Sequence, residues 1–169
     1  MIILSKNIRE KHLLSALKIY NYYISNSFSN FEEKQLSISR FKLLYKNIKS
    51  NKLPFLIAID NNEVLGLAFV NKFRDKSGYR FTFEHSIYVN AKFIQKGYGS
   101  LILKDLIKEC KKNKNIKNLV AVIGGSDNVA SIKIHNKNGF KYIGTLSKAG
   151  YKKNKWIDSV YMQKKLWKK

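Results

Sequence analysis

Residues 79–100, YRFTFEHSIYVNAKFIQKGYGS, decide the fold. From Tyr79 to Val89 the chain alternates, sending Phe81, Phe83, His85, Ile87 and Val89 to one face and Thr82, Glu84, Ser86 and Tyr88 to the other, which predicts a long central strand. Asn90 to Gly99 reads as a loop with two glycines. After it, Ile102, Leu103, Leu106, Ile107 and Cys110 recur with the period of an amphipathic helix. In that order, strand, loop and helix put Gln95-Lys96-Gly97-Tyr98-Gly99-Ser100 at a helix start. Unpaired main-chain N–H groups and the positive helix end can cradle a pyrophosphate there. A plain strand-to-helix turn explains a lone glycine pair equally well, so the surroundings must decide.

Downstream, Leu119 to Ile123 is a β-branched buried strand and Asn128 to Asn138 a short helix ended by Gly139. Tyr142 to Lys164 reads as two final strands. Upstream, Phe55 to Asp60 and Val64 to Lys72 form a hairpin across Asn61-Asn62, residues that tolerate the positive φ of a tight turn. Before Pro54, Phe41, Leu44, Tyr45 and Ile48 share a face of a helix over Ser37 to Ile48. Leu13, Leu14, Leu17, Ile19 and Tyr20 predict another over Glu10 to Ile24, and Met1 to Leu4 a short first strand. Strand, two helices, three strands, helix, strand, helix and two strands imply one mixed sheet flanked by helices rather than a doubly wound one.

The 169 residues, 44% hydrophobic, suit one domain with a single core, residues 1–169. A formal charge of +22 favours polyanions, so nucleic acid is a partner to weigh. The lysines are spread from Lys6 to Lys169, with small clusters only at Lys111, Lys112, Lys114 and Lys117 and at Lys152, Lys153 and Lys155. No nucleic-acid reading motif accompanies them. The single Cys110 excludes an intrachain disulfide, and with three dispersed histidines it makes no metal-ligand spacing, so no metal is expected and the cytosol fits best. Met1 to Leu4 is too short for a signal core or a spanning helix, so no membrane association is expected. Cys110 itself lies on the apolar helix stripe and reads as a small core residue.

The glycine turn resembles the acetyl-CoA pyrophosphate loop of the GNAT superfamily, Gln/Arg-x-x-Gly-x-Gly/Ala, with Gly97 and Gly99 in the glycine positions. Ile94 falls on the first, usually polar position, leaving Gln95 or Lys96 to supply a side-chain phosphate contact. More closely, the chain resembles the phosphinothricin and methionine sulfoximine N-acetyltransferase family from Ile19-Tyr20-Asn21 to Met162-Gln163. The matching segments include Phe73-Arg74, Tyr79-Arg80-Phe81-Thr82, Glu84-His85-Ser86-Ile87-Tyr88-Val89, Val120-Ala121-Val122-Ile123, Gly139-Phe140 and Gly150-x-Lys152-x-x-x-Trp156-x-Asp158.

That resemblance implies a mixed α/β (α+β) GNAT fold: a twisted, mostly antiparallel sheet of about seven strands, flanked by about four helices, whose splayed central strands hold acetyl-CoA. It implies acetyl transfer from acetyl-CoA to the amine of a small amino-acid-like molecule in a ternary complex, and a homodimer. Glu84 matches the general base. His135 takes the position near the CoA sulfur, as an acid for the departing thiolate or as a packed, hydrogen-bonded residue. Ile87, Tyr88 and Val89 lie along the pantetheine, with the Val89 N–H on the thioester oxygen. Gln95, Lys96, Gly97, Tyr98, Gly99 and Ser100 hold the pyrophosphate. Asn128 and Ser131 contact CoA or cap their helix. On the acceptor side, Arg74 and Arg80 suit a substrate carboxylate, since guanidinium binds it in a bidentate fork that lysine cannot copy. Phe73 stands beside them, and Phe31 and Glu32 match an element near the acceptor pocket, with core anchor and solvated charge as the plainer roles. Two rival readings remain: the same fold acting on a protein N-terminus, lysine or polyamine, and a basic nucleic-acid binder with a vestigial loop.

Overall fold

The computed structural model describes residues 2–4 and 7–167. Chain order is β1 (Ile2–Leu4), α1 (Glu10–Asn26), α2 (Ile38–Ser50), β2 (Phe55–Asp60), β3 (Glu63–Lys72), β4 (Thr82–Val89), α3 (Tyr98–Lys112), β5 (Asn118–Gly124), α4 (Val129–Lys137), β6 (Lys141–Lys152) and β7 (Lys155–Lys165). The strands form one seven-stranded sheet in the order β1-β2-β3-β4-β5-β7-β6. Neighbours are antiparallel except β4 and β5, which run parallel. This is the mixed sheet flanked by helices that the element order implied, mostly antiparallel as the resemblance implied.

The local chemistry accounts for the elements. Ser37 caps α2 by accepting from the Arg40 N–H at 3.3 Å, and Asn61 and Asn62 turn the β2–β3 hairpin at φ 43° and 64°. Alternate residues of the central strands face opposite helix layers. Phe69 stacks on Phe55, and Tyr20 packs between Phe41 and Tyr88 on the α1–α2 side. Ile102, Leu103, Leu106 and Cys110 of α3 are fully buried on the other side. Cys110 is thus the core residue its position on the stripe suggested, and burial raises its thiol pKa to about 12.

Most boundaries shift by one or two residues, and the start of β4 shifts by three. The strand begins at Thr82 and not at Tyr79, because Ser77–Tyr79 forms a 3-10 turn with Tyr79 N–H on Lys76 O and Arg80 N–H on Ser77 O. Tyr79 and Phe81 are exposed, so the alternation there reflects no buried face.

The decisive feature is where β4 and β5 stop pairing. They pair only at Thr82–Asn118, Phe83–Leu119 and Glu84–Val120, while β4 runs on to Val89 and β5 on to Gly124. β5 stays bonded to β7 as far as Gly124–Ser159, so β4 and β5 diverge into a V.

Candidate active site

The V opens into a cleft of about 900 Å³, walled by β4, β5, the starts of α3 and α4, and the loop after α1. In an antiparallel ladder alternate residues bond to alternate sides. Phe73 N–H donates to Thr82 O and Asn90 N–H to Leu65 O, so even-numbered β4 residues bond to β3. Lys117 and Asn118 donate to Phe81 O on the β5 side. By this alternation the main-chain groups of Ile87 and Val89 face the opening, past the last β5 pairing. Tyr23 covers one of them by donating its hydroxyl to Val89 O at 2.8 Å. The main chain of Tyr88 bonds back to β3. Its ring is buried against Tyr20 and Tyr23.

At the far end, Gln95 and Gly97 adopt positive φ of 63° and 82°, turning the chain into α3. Gly97 stands at the N-cap with no side-chain cap, and the N–H groups of Ser100 and Leu101 close on its carbonyl. The N–H groups of Tyr98 and Gly99 are left at the positive end of a 15-residue helix, where an anion fits. A Cβ on Gly99 would lie 3.1 Å from Ile134 Cδ1 and 3.4 Å from Val89 Cγ2, so its smallness lets α3 seat against α4 and β4. Gln95, Gly97, Tyr98, Gly99 and Ser100 line the cleft. Lys96 is absent from that wall, its ammonium lying over the Phe93 ring. Ser100 accepts from Asn138 Nδ2. A diphosphate carrier fits this turn by its free donors and its open Gly97 face.

At the other end of the cleft, Glu84 is half buried on the α1 side of the sheet. Burial pushes its pKa above the ordinary value and the nearby Arg74 charge pulls it down. Phe31 and Glu32 reach this wall from the loop after α1, with Tyr20, Asn30 and Ser86, to which the sequence reading gave no site role. Phe73, Arg74 and Arg80 do not line it. Arg74 folds over the Phe73 ring and donates to Phe73 O, and Arg80 folds over Phe81 and donates to Ser77 O.

Asn128 caps α4 by accepting from Ser131 N–H and also donates to Ser29 Oγ. His135 is buried on the cleft wall with Nδ1 2.7 Å from Ser131 O and Nε2 2.9 Å from His85 Nε2. His85, read from sequence as a strand residue in a family-matching segment and given no role of its own, is therefore part of the site. No motif spacing links two residues fifty positions apart. Among the described residues no group of three or more His, Cys, Asp or Glu could hold a metal ion.

A splayed parallel pair, a free β4 edge and an uncapped glycine turn define an acyl-CoA site. The chain belongs to the GNAT acetyltransferase family: residues 6–161 match the model of the acetyltransferase (GNAT) domain. It is an acetyl-CoA-dependent acyltransferase. Over 159 residues it is 32% identical to a phosphinothricin N-acetyltransferase of Alcaligenes faecalis, covering 94% of this chain and 80% of that protein. It is 32% identical to an L-methionine sulfoximine/L-methionine sulfone acetyltransferase of Pseudomonas aeruginosa, covering 87% and 85%. Among solved structures, a putative acetyltransferase of Salmonella typhimurium with its cofactor acetyl-CoA superposes with a TM-score of 0.94 at 27% identity, covering 100% and 95%. A ribosomal-protein-alanine N-acetyltransferase of Brucella melitensis superposes at 0.92 with 30% identity, covering 98% and 99%. No described helix is long and apolar enough to cross a membrane.

Proposed function

We propose that the chain acetylates the amino group of a small amino-acid-like acceptor of the phosphinothricin, methionine sulfoximine or methionine sulfone type. The observation that carries this reading is Glu84, a partly desolvated carboxylate with raised proton affinity at one end of a cleft whose other end is the Gly97 turn. Acetyl-CoA supplies the activated acyl carbon. Glu84 removes a proton from the acceptor ammonium, directly or through water, and the freed lone pair attacks the thioester carbon. The tetrahedral intermediate collapses by breaking its C–S bond, the CoA thiolate leaves with a proton from His135, and the nitrogen gives its second proton to solvent. The Val89 N–H, turned into the opening, suits the developing oxyanion, a device worth roughly 100- to 1,000-fold in rate. Ile87 offers its main-chain groups to the pantetheine, while Tyr98 and Gly99 offer N–H groups to the diphosphate. Phe31, Asn30 and Glu32 shape the acceptor side.

Of the two arginines, only Arg74 shifts the Glu84 pKa, so the acceptor carboxylate is assigned to Arg74 after it swings off the Phe73 ring. Phe73 then serves as its resting platform, and Arg80 stays on its own turn. A cytosolic homodimer belongs to the same reading. Exposed Tyr142, Ile143, Leu146, Tyr151 and Trp156 on β6 and β7 supply apolar surface for it, and sedimentation would read it directly.

Thiol release from acetyl-CoA, measured across methionine sulfone, methionine sulfoximine, phosphinothricin and the common amino acids with Glu84→Gln as control, tests the proposal. The likeness to a ribosomal-protein-alanine acetyltransferase favours a second reading, a peptide N-terminus, so an Ala-initiated peptide belongs in the panel. Turnover of that peptide with none of the small acceptors would replace the first reading by the second.

A further inference from the structure

His85 on β4 and His135 on α4 meet in the cleft wall, 5% and 2% exposed, and their hydrogen bonds outnumber their protons. His135 Nδ1 lies 2.7 Å from the Ser131 carbonyl oxygen and 3.4 Å from Ser131 Oγ. His85 Nδ1 lies 3.1 Å from the Val120 carbonyl oxygen. A carbonyl only accepts, so each Nδ1 carries a hydrogen. Two neutral imidazoles have then used both of their protons. Their Nε2 atoms still face each other at 2.9 Å, and two bare lone pairs at that distance repel.

We propose that His85 is a positioning residue for His135, and that the pair holds a third proton, shared between the two Nε2 atoms, as a single titrating unit on the cleft wall. The proposal rests on the acetyltransferase reading only for its effect on turnover. The Val120 and Ser131 carbonyls take the outer hydrogens of the cation. His135 also lies in the last turn of α4, where the negative end of the helix dipole favours a positive charge. Burial opposes it: His85 is pushed down to about 3, by desolvation first and by a charge on His135 second, and burial also lowers His135. One shared proton removes the second of these, because the pair never carries two charges.

No carboxylate shifts either ring. Glu84 on β4 points to the opposite face, β3 presents Val70 opposite His85, and β5 presents apolar residues. The Phe140 ring packs 5.1 Å from both imidazoles, and Lys133 of α4 also lines the cleft without shifting either ring.

Long-range ¹H–¹⁵N spectra of imidazole-labelled protein near neutral pH read the four nitrogens. The expected pattern is two protonated Nδ1, two Nε2 at a common intermediate shift and one strongly deshielded shared proton. In His85→Gln the amide can donate to His135 Nε2 but shares no proton, so the intermediate signal becomes a plain acceptor. There kcat falls by roughly tenfold or more, the KM for acetyl-CoA stays within about twofold, and the alkaline limb set by loss of the shared proton disappears. Two acceptor-type Nε2 atoms without a shared proton in the unaltered protein overturn the proposal. A His85→Gln enzyme with unchanged kcat and pH profile overturns the positioning role. The decisive spectrum needs no variant, so a misfolded substitution leaves it intact. The full signature in a protein that acetylates none of the small acceptors would sink the small-acceptor reading and leave the pair standing.

Discussion

At the scale of single residues, Glu84 ties burial to a rate. Burial raises its pKa, so its carboxylate form, the one able to accept a proton, is lost at a higher pH than an ordinary glutamate would lose it. The kcat/KM profile should therefore fall on the acid side through an apparent pKa above the usual carboxylate value. Glu84→Gln should remove that limb and lower kcat by roughly 100- to 10,000-fold, with acetyl-CoA affinity by calorimetry unchanged. Tyr23 is a smaller lever. Its phenol, held protonated by burial, donates to Val89 O, and Tyr23→Phe frees that carbonyl at the cleft edge. One neutral hydrogen bond is worth about 1 kcal/mol, so kcat/KM for acetyl-CoA should drop by less than about tenfold. A loss as large as that of Glu84→Gln would mean that Tyr23 does more than brace the strand.

Between α1 and α2 the chain makes no regular structure, yet the Ser27–Glu32 stretch is firmly held. Lys152, buried at the end of β6, donates its ammonium to Ser27 O at 3.0 Å and to Asn30 O at 2.5 Å. A Cβ on Gly150 would lie 2.3 Å from Phe31 Cε1, so only glycine leaves that ring its place. Lys152→Met removes two charge-assisted bonds, worth about 1.5–3 kcal/mol each before relaxation. It should lower the melting temperature and raise the KM for the acceptor, leaving the KM for acetyl-CoA unchanged because Lys152 touches the loop and not the Gly97 turn. Gly97→Ala should do the converse. At φ 82° a Cβ costs roughly 1–2 kcal/mol, and acetyl-CoA affinity should weaken while the acceptor KM holds. The order and type of every element were legible because each buries a face whose period is written locally, as in the Ile102 to Cys110 stripe. The 3-10 turn at Ser77–Tyr79 was not, since alternation in an exposed segment mimics a strand. Lys152 on the loop and His85 on His135 were equally hidden. Each contact joins residues 50 or more positions apart, and only the folded sheet brings them together.

For the molecule as a whole, the open question is what a formal charge of +22 does for a site that binds phosphates. Of the described lysines and arginines, only Lys133 stands on the cleft wall, so whatever the excess charge does for the site is done at a distance and not by contact. Surface pairs such as Lys42–Glu10 and Lys112–Glu109 cancel little of it. A diffuse field of this kind raises the local concentration of a polyanion and its association rate, and salt screens it over about 30 Å at 0.01 M but only about 3 Å at 1 M. CoA should accordingly bind faster at low salt, with the dissociation rate nearly constant, if the turn's main-chain donors hold the diphosphate at short range as proposed. Dephospho-CoA, with less negative charge, should show a shallower salt slope in stopped-flow binding. If association of both is flat across that salt range, the lysine excess plays no part in capture, and the uncapped turn at Gly97 with its helix dipole must account for recognition of the carrier alone.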